Sequence, residues 1–254
     1  PEYEIIYGES TAQPAWRGPM ARLMLKHRLM GWNTDRILAS NQFVVEDLLF
    51  NCIYAQNLFC LSRLCDIIGQ REEAEVFRQR GELVESSILS KMYDAETGLF
   101  YSLDARQHRD EQMKVSTVSS LMPLILDSIS KDQVERLVEE HLYNPEEFWL
   151  NYPVPAEPLS SATVRSEGVP WRGLQTWVIA NWYLAKGLRK QALRFPEHRD
   201  EYTQLADQIT LRTYELVRKE GFREFYDSET GKGGGAYDYG WSTLVLDMVY
   251  DMEG

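Results

Sequence analysis

Two kinds of helical stretch alternate along this chain, and that alternation limits its fold more than any other feature. Residues 43–68 and 171–188 are apolar nearly all round, whereas residues 71–92 and 198–219 carry their charges along an outer face. A helix apolar on every side belongs inside a protein, and one with a single apolar stripe belongs on its outside. Helical periodicity continues at 19–31, where Met20, Leu23, Met24, Leu25 and Leu29 form a stripe, and at 114–127, 131–141 and 240–250. Strand-type alternation is almost absent. The expected fold class is all-α, an inner ring of helices wrapped by an outer ring in an (α/α)6 toroid. About eight helices are readable, fewer than a closed double ring requires. The expectation for residues 1–254 is one barrel-type catalytic domain whose N-terminal helices are missing.

An internal repeat supports the ring. Tyr93-Asp94-Ala95-Glu96-Thr97-Gly98 recurs as Tyr226-Asp227-Ser228-Glu229-Thr230-Gly231, 133 residues on (93 to 226). Each copy follows an amphipathic stretch and sits in a glycine-containing turn. If a helical hairpin with its loop takes roughly 60–70 residues, the copies stand two units apart, at the end of the barrel where a cleft forms. Proline and glycine gather in two long loops, 143–170 and 221–240, both expected to be irregular. Long irregular loops in compact domains are frequently functional.

Composition removes several function classes. A net charge of −12 argues against nucleic acid and anionic membrane partners, which need a basic surface. No apolar run approaches the roughly 20 residues that span a bilayer. Cys52, Cys60 and Cys65 fall in one apolar helix at spacings that suit neither a disulfide framework nor a zinc site, so buried thiols in a reducing, cytoplasmic compartment are expected. His27, His108, His141 and His198 are scattered, and neither metal nor organic cofactor is expected. Seven Trp and fourteen Tyr suit both a large helical core and a sugar-stacking cleft. The chain opens Pro1-Glu2-Tyr3 without an initiator methionine, so something is expected to precede it or to have been processed away.

Three segments hold side chains that could do chemistry. Glu224 stands in Phe222-Arg223-Glu224-Phe225-Tyr226, and a carboxylate among aromatic rings is drawn toward the range useful for proton transfer. The competing role for Glu224 is an ion pair with Arg223 or Arg172. The Gly231-Lys232-Gly233-Gly234-Gly235 run is no phosphate loop, since neither Ser nor Thr follows the lysine and no strand is expected before it. A rim lying close to ligand fits better. Arg172, at the start of an apolar helix after Trp171, opposes the helix dipole. It is expected to pair with Glu224, with a ligand carboxylate, or with a structural one. Glu46 and Asp47 lead into the helix at 43–68, and a helix cap is the preferred role for them.

Four segments together resemble glycoside hydrolase family 63 and its relatives, the mannosylglycerate and glucosylglycerate hydrolases and, more distantly, trehalases. Val169-Pro170-Trp171-Arg172-Gly173-Leu174-Gln175-Thr176-Trp177 is similar to the family's Tyr-Trp-Arg-Gly-Pro-x-Trp helix start. Phe222 to Gly231 resembles its Phe-x-Glu-Tyr-Tyr-x-x-x-Thr-Gly loop. Tyr239-Gly240-Trp241-Ser242-Thr243-Leu244-Val245-Leu246-Asp247 resembles its closing helix, and Phe43 to Asn51 its Phe-x-Val-Glu-Asp-x-x-Phe segment. Pro170 and Leu174-Gln175 depart from the pattern, and the Tyr239 position is Gln in some relatives.

The resemblance implies an inverting glycosidase cleaving an α-glycosidic bond in a small glucoside, mannoside or oligosaccharide, with Glu224 as general base. It implies substrate-binding roles for Trp171, Arg172, Tyr226, Tyr239 and Trp241. The family's general acid is an aspartate in a Gly-x-Asp-Asn-Ser-Pro type segment that has no match here. A missing N-terminal segment or a second chain would therefore complete the barrel. The alternative is an inactive carbohydrate-binding or scaffolding protein of the same fold. A sugar epimerase ranks last, because that chemistry usually needs paired histidines and none lies in these loops.

Overall fold

The computed structural model describes residues 17–106, 109–161 and 172–253. After two short helices, α1 (Arg17–Leu29) and α2 (Thr34–Ser40), comes the first long one, α3 (Leu48–Ile67). Asp47 accepts from the Phe50 amide at 2.9 Å and so caps α3, and the Ser102 hydroxyl takes up the Leu48 amide at 3.0 Å. Free amides at a helix start need such acceptors. The chain turns back as α4 (Arg71–Ser87), which ends in a π-helical turn, Ile88–Met92. Ala74, Gly81 and Glu85 face inward on α4, while Arg78 and Glu82 pair on its outer face at 3.0 Å.

The same alternation continues. An inner 3₁₀ helix (Val118–Ile125), with Ser120 to Ile125 all buried, precedes an outer helix α5 (Lys131–Glu135), which continues as a π-helical segment, Arg136–Leu142. The inner α6 (Val178–Arg194) is followed by the outer α7 (Arg199–Glu220), and α8 (Leu244–Glu253) closes the described series. On α6 the buried positions Val178, Ala180, Asn181, Leu184, Ala185, Gly187, Leu188, Gln191 and Ala192 spread over half the circumference, and of the other residues only Leu193 is exposed. On α7 they keep to one stripe: Tyr202, Leu205, Ala206, Ile209, Thr210, Thr213 and Leu216. Broad burial on α6 against a narrower stripe on α7 follows the inner and outer distinction read from sequence, but α3 departs from it. There Leu48, Cys52, Ala55, Leu58 and Ser62 are buried along one stripe, while Phe50, Leu61, Leu64 and Ile67 are exposed. Successive inner elements touch, α3 against the 3₁₀ helix, the latter against α6, and α6 against α8. The result is an arc of the (α/α)6 barrel.

Short pairings show where the functional end lies. Strand β1 (Val45–Glu46), just before α3, pairs antiparallel with β4 (Leu103–Asp104), and β4 with β5 (Glu111–Gln112). The Val118 amide, where the 3₁₀ helix begins, donates to Ala156 O at 2.9 Å. Strand β6 (Gln175–Thr176), just before α6, pairs with β7 (Arg223–Asp227). Three times, then, the segment entering an inner helix bonds to the next connection, so the connections 93–117, 143–161 and 221–243 gather at one end. The 3₁₀ helix is fixed at its far end too. Buried Glu85 accepts from the Asp127 and Ser128 amides at 2.8 and 3.0 Å, and Lys190 and Gln191 of α6 donate to Ile125 O and Leu124 O.

Several local expectations are corrected. The segment 221–240 is not irregular: β7 and β8 (Gly233–Tyr237) form a hairpin, and β6 makes it a three-stranded sheet. A second small hairpin joins β2 (Tyr93–Asp94) to β3 (Leu99–Phe100). Strands of two residues are too short to show a period, and on β7 the alternation is hidden because a glutamate holds a buried position. The helix expected at 114–127 contracts to the 3₁₀ turn around Pro123, and the one expected from 171 begins at Val178, after β6. Of the three cysteines only Cys52 is buried, and Cys60 is exposed.

Candidate active site

The site begins where α7 ends. Gly221 stops the helix, and the Tyr226 hydroxyl donates to Gly221 O at 2.6 Å while accepting from the Arg223 amide at 3.1 Å. This clasp sets the direction of β7. Along β7, Glu224 and Tyr226 are buried and Arg223, Phe225 and Asp227 half-buried, because successive strand residues face opposite sides. Glu224 is 8% exposed. Its Oε2 accepts from the Ala236 amide across the hairpin at 3.0 Å. Among the described residues it has no salt-bridge partner. Arg223 reaches Gly235 O at 3.1 Å and lies over the Tyr237 ring at 3.5 Å, and Arg172 is engaged elsewhere. Its carboxylate is therefore held by an uncharged donor and not by an ion pair among the described residues.

An aromatic cluster lies on the Phe225 side of β7, the face opposite Glu224. Trp177, just before α6, packs on Phe225 with ring centres 5.4 Å apart and meets Trp241 at 6.5 Å, and Trp241 meets Tyr239 edge-on at 5.4 Å. Trp241 is 47% exposed. Burial, with the negative charge of Glu224 adding to it, pushes the Tyr239 hydroxyl above its ordinary pKa. That coupling places the phenol and the carboxylate in one electrostatic neighbourhood.

Not every expected site residue joins this group. Arg172 does not pair with Glu224. Its Nη1 donates to Glu157 Oε1 at 3.0 Å, and Glu157, fully buried, also accepts from the Gly173 amide at 3.1 Å. A buried carboxylate holds the nearest cation strongly, since leaving it unpaired would be costly. The Arg172 side chain stays 41% exposed and lines a cavity of about 330 Å³ with Asp47, Ser102, Thr117, Ser119 and Phe43. Tyr226 is also corrected: it is 0% exposed and its hydroxyl serves the Gly221 clasp, so it is a structural residue beneath the site. Trp171 lies outside the described residues. Asp47 caps α3, as expected.

Trp177, Phe225, Gly235 and Glu157 were not singled out from sequence. Trp177 ends the Trp171–Trp177 motif and Gly235 the glycine run, so both had a signal. Glu157, in a proline-rich loop, had none. Among the described residues no group of three His, Cys, Asp or Glu is placed to hold a metal ion, and no described helix is long and apolar enough to cross a membrane.

Comparison with known proteins adds a lineage to this geometry. The family described as "Mannosylglycerate hydrolase MGH1-like glycoside hydrolase domain" matches residues 6–242. The mannosylglycerate hydrolase of Rubrobacter radiotolerans is 27% identical over 225 residues, 87% of this chain and 47% of that protein. Among solved structures, a GH63 mannosylglycerate hydrolase of Thermus thermophilus in complex with Tris and D-glycerate superposes with a TM-score of 0.74 at 26% identity, covering 90% of this chain and 51% of that one. Neutral trehalase of Saccharomyces cerevisiae, at 15% identity and a TM-score of 0.61 over 83% of this chain and 38% of its own, shares the fold. The chain spans about half the length of the curated relatives it matches.

Proposed function

The chain belongs to the mannosylglycerate hydrolase MGH1-like glycoside hydrolase family, and on that premise we propose that it carries the general base of an inverting glycosidase. Glu224 takes a proton from a water molecule as the water attacks the anomeric carbon, and a carboxylic acid about 6.5–9.5 Å away protonates the leaving oxygen. That acid is an aspartate from helices outside residues 1–254, in an N-terminal segment or a second chain that completes the ring. The bond cleaved is an α-glycosidic bond in a small glucoside, mannoside or oligosaccharide. Mannosylglycerate is the first substrate to test, since relatives are named for it. Trp241 and Tyr239 wall the sugar, with Trp171 beside them, and Arg172 offers its guanidinium to a substrate oxygen from the neighbouring cavity. The reaction needs no metal or organic cofactor. A cytoplasmic location is part of the same proposal.

The observation that carries the reading is the state of Glu224, buried, hydrogen-bonded by one amide, and without an ion-pair partner among the described residues. The test is Glu224→Gln in the full-length protein with mannosylglycerate as substrate. We expect kcat to fall by about 10³-fold with the helical circular dichroism unchanged, and proton NMR of the wild-type reaction to show the inverted anomer first. Turnover retained in Glu224→Gln rejects the base. Sugar binding by a wild-type protein that never turns over selects the binding-only alternative.

A further inference from the structure

We propose that a β-bulge in strand β8 orients Glu224 for its reaction, and that Gly235 is a positioning residue for it. The inference rests on the reading of Glu224 as the base and concerns what holds that base in place.

The pairing of β7 with β8 slips by one residue between Arg223 and Phe225, so Gly235 and Ala236 together face the single residue Glu224. Gly235 takes a left-handed conformation, φ +66°, as the first residue of such a bulge does when it is glycine. Two things follow at the carboxylate. The bulge turns the Ala236 amide inward, where it donates to Glu224 Oε2 at 3.0 Å. It also sets a bare Cα against the glutamate, because a Cβ at position 235 would stand 2.4 Å from Oε2 and 2.6 Å from the glutamate's own Cβ. A regular ladder would place one side chain opposite Glu224 and no inward amide.

Arg223 fixes the bulge from the other face of β7. Its Nη2 donates to Gly235 O at 3.1 Å, and its guanidinium rests on the Tyr237 ring. Glu224 is therefore held through Oε2, and Oε1 has no hydrogen bond among the described residues. The attacking water loses its proton to Oε1 as its oxygen bonds to the anomeric carbon, and the carboxylate becomes a carboxylic acid. A base aimed through one fixed oxygen keeps the reacting atoms in line, and misplacement by about 1 Å can cost on the order of 10² in rate.

The experiment compares four variants of the full-length protein with mannosylglycerate. Gly235→Ala should lower kcat by about 100-fold and leave KM within about threefold, since the amide that fixes Glu224 Oε2 is displaced. Gly69→Ala is the control for backbone strain: φ there is +81° with nothing within 4 Å of an added Cβ, so kcat should stay at the wild-type level. Should Gly235→Ala fail to fold, Arg223→Gln and Arg223→Lys decide. Freeing the Gly235 carbonyl should cost kcat about tenfold with KM within about threefold, and lysine should restore most of it. A Gly235→Ala enzyme with wild-type kcat overturns the proposal. So does an Arg223→Gln enzyme with wild-type kcat when Gly235→Ala cannot be folded. Glu224→Gln, run beside them, reports separately on the base: if it turns over normally, the fault lies with the proposed function and not with the bulge.

Discussion

The two copies of the Tyr-Asp-x-Glu-Thr-Gly turn differ in what surrounds them, and the difference shows how one turn motif can serve two different settings. The turns themselves match. Gly98 donates to Asp94 O at 2.8 Å and Gly231 to Asp227 O at 2.8 Å, with φ +75° and +74°. Thr97 donates to the Asp94 carboxylate and Thr230 to that of Asp227, at 2.8 and 2.7 Å. After the first turn the chain sends Leu99, Phe100 and Tyr101 into the core, at 4%, 0% and 5% exposure. After the second it runs through Gly233, Gly234 and Gly235, which present no side chains. Two residues before the tyrosine, the first copy has Lys91 in a π-helical turn, paired with Asp110 at 2.8 Å. The second has Glu224 on a strand. The first copy therefore fills the core with its own side chains, whereas the glycines of the second lie against the side chains of Arg223, Phe225 and Glu224, and only the second carries a buried carboxylate on its strand.

If that contrast is right, mutations at matched positions should differ in size. The largest gap is expected at the turn glycines. Gly231→Ala places a Cβ 2.7 Å from the Tyr152 ring with Leu216 behind it, and adds left-handed strain, so urea unfolding should report a loss of about 3 kcal/mol. Gly98→Ala meets the movable end of Arg136 at 2.8 Å and should lose about 1–2 kcal/mol. Equal losses would break the comparison.

The tyrosines come next. Tyr226→Phe removes both hydrogen bonds of a fully buried tyrosine, to the Gly221 carbonyl and from the Arg223 amide, and should cost about 2 kcal/mol. The half-buried Tyr93 has only a 3.3 Å bond from Arg136, and Tyr93→Phe should cost about 0.5 kcal/mol in the same assay.

A pH effect is expected in the first copy alone. His141 meets Glu147 Oε2 through Nδ1 at 2.7 Å and Thr97 O through Nε2 at 2.8 Å. Burial by itself would push the imidazole down, but the Glu147 and Thr97 bonds outweigh it, and its pKa is raised. A raised folded value means this stabilisation is complete below the ordinary imidazole value near 6.5 and lost as pH rises through the folded one. Thermal scans should show Tm declining above about pH 6.5, with His141→Asn flattening that decline. An equally steep variant would remove His141 as the cause.

The smallest effect is expected for Lys91→Ala. This surface pair should shift Tm by less than about 2 °C and leave kcat unchanged, in contrast to its counterpart Glu224.

Much of the architecture was legible because it depends on short-range periodicity. The buried character of 178–194 and the single stripe of 199–220 are both consequences of which residues recur each helical turn, and the repeat marked the two matching turns before their geometry was known. The small sheet was not legible. Two-residue strands carry no period, and Gly233 to Gly235 have poor strand propensity, so β8 exists only because β7 lies beside it. Glu224 was found through its aromatic setting and a family likeness. The removal of Tyr226 from the site was hidden, since its hydroxyl bonds to a backbone carbonyl that sequence cannot flag.

By itself, then, the sequence determined the helical character, the contrast between 178–194 and 199–220, and the turn repeat, and it singled out Glu224 as the carboxylate to test. All of these are written in patterns local to the chain. Tertiary structure decided the partners. Arg172 chooses Glu157 over Glu224, and the Ala236 amide rather than a cation meets Glu224, because pairing follows which backbones the fold brings alongside and how their register slips. Glu224 was the protein carboxylate named for Arg172 from sequence, and only the packed chain brought Glu157 to it.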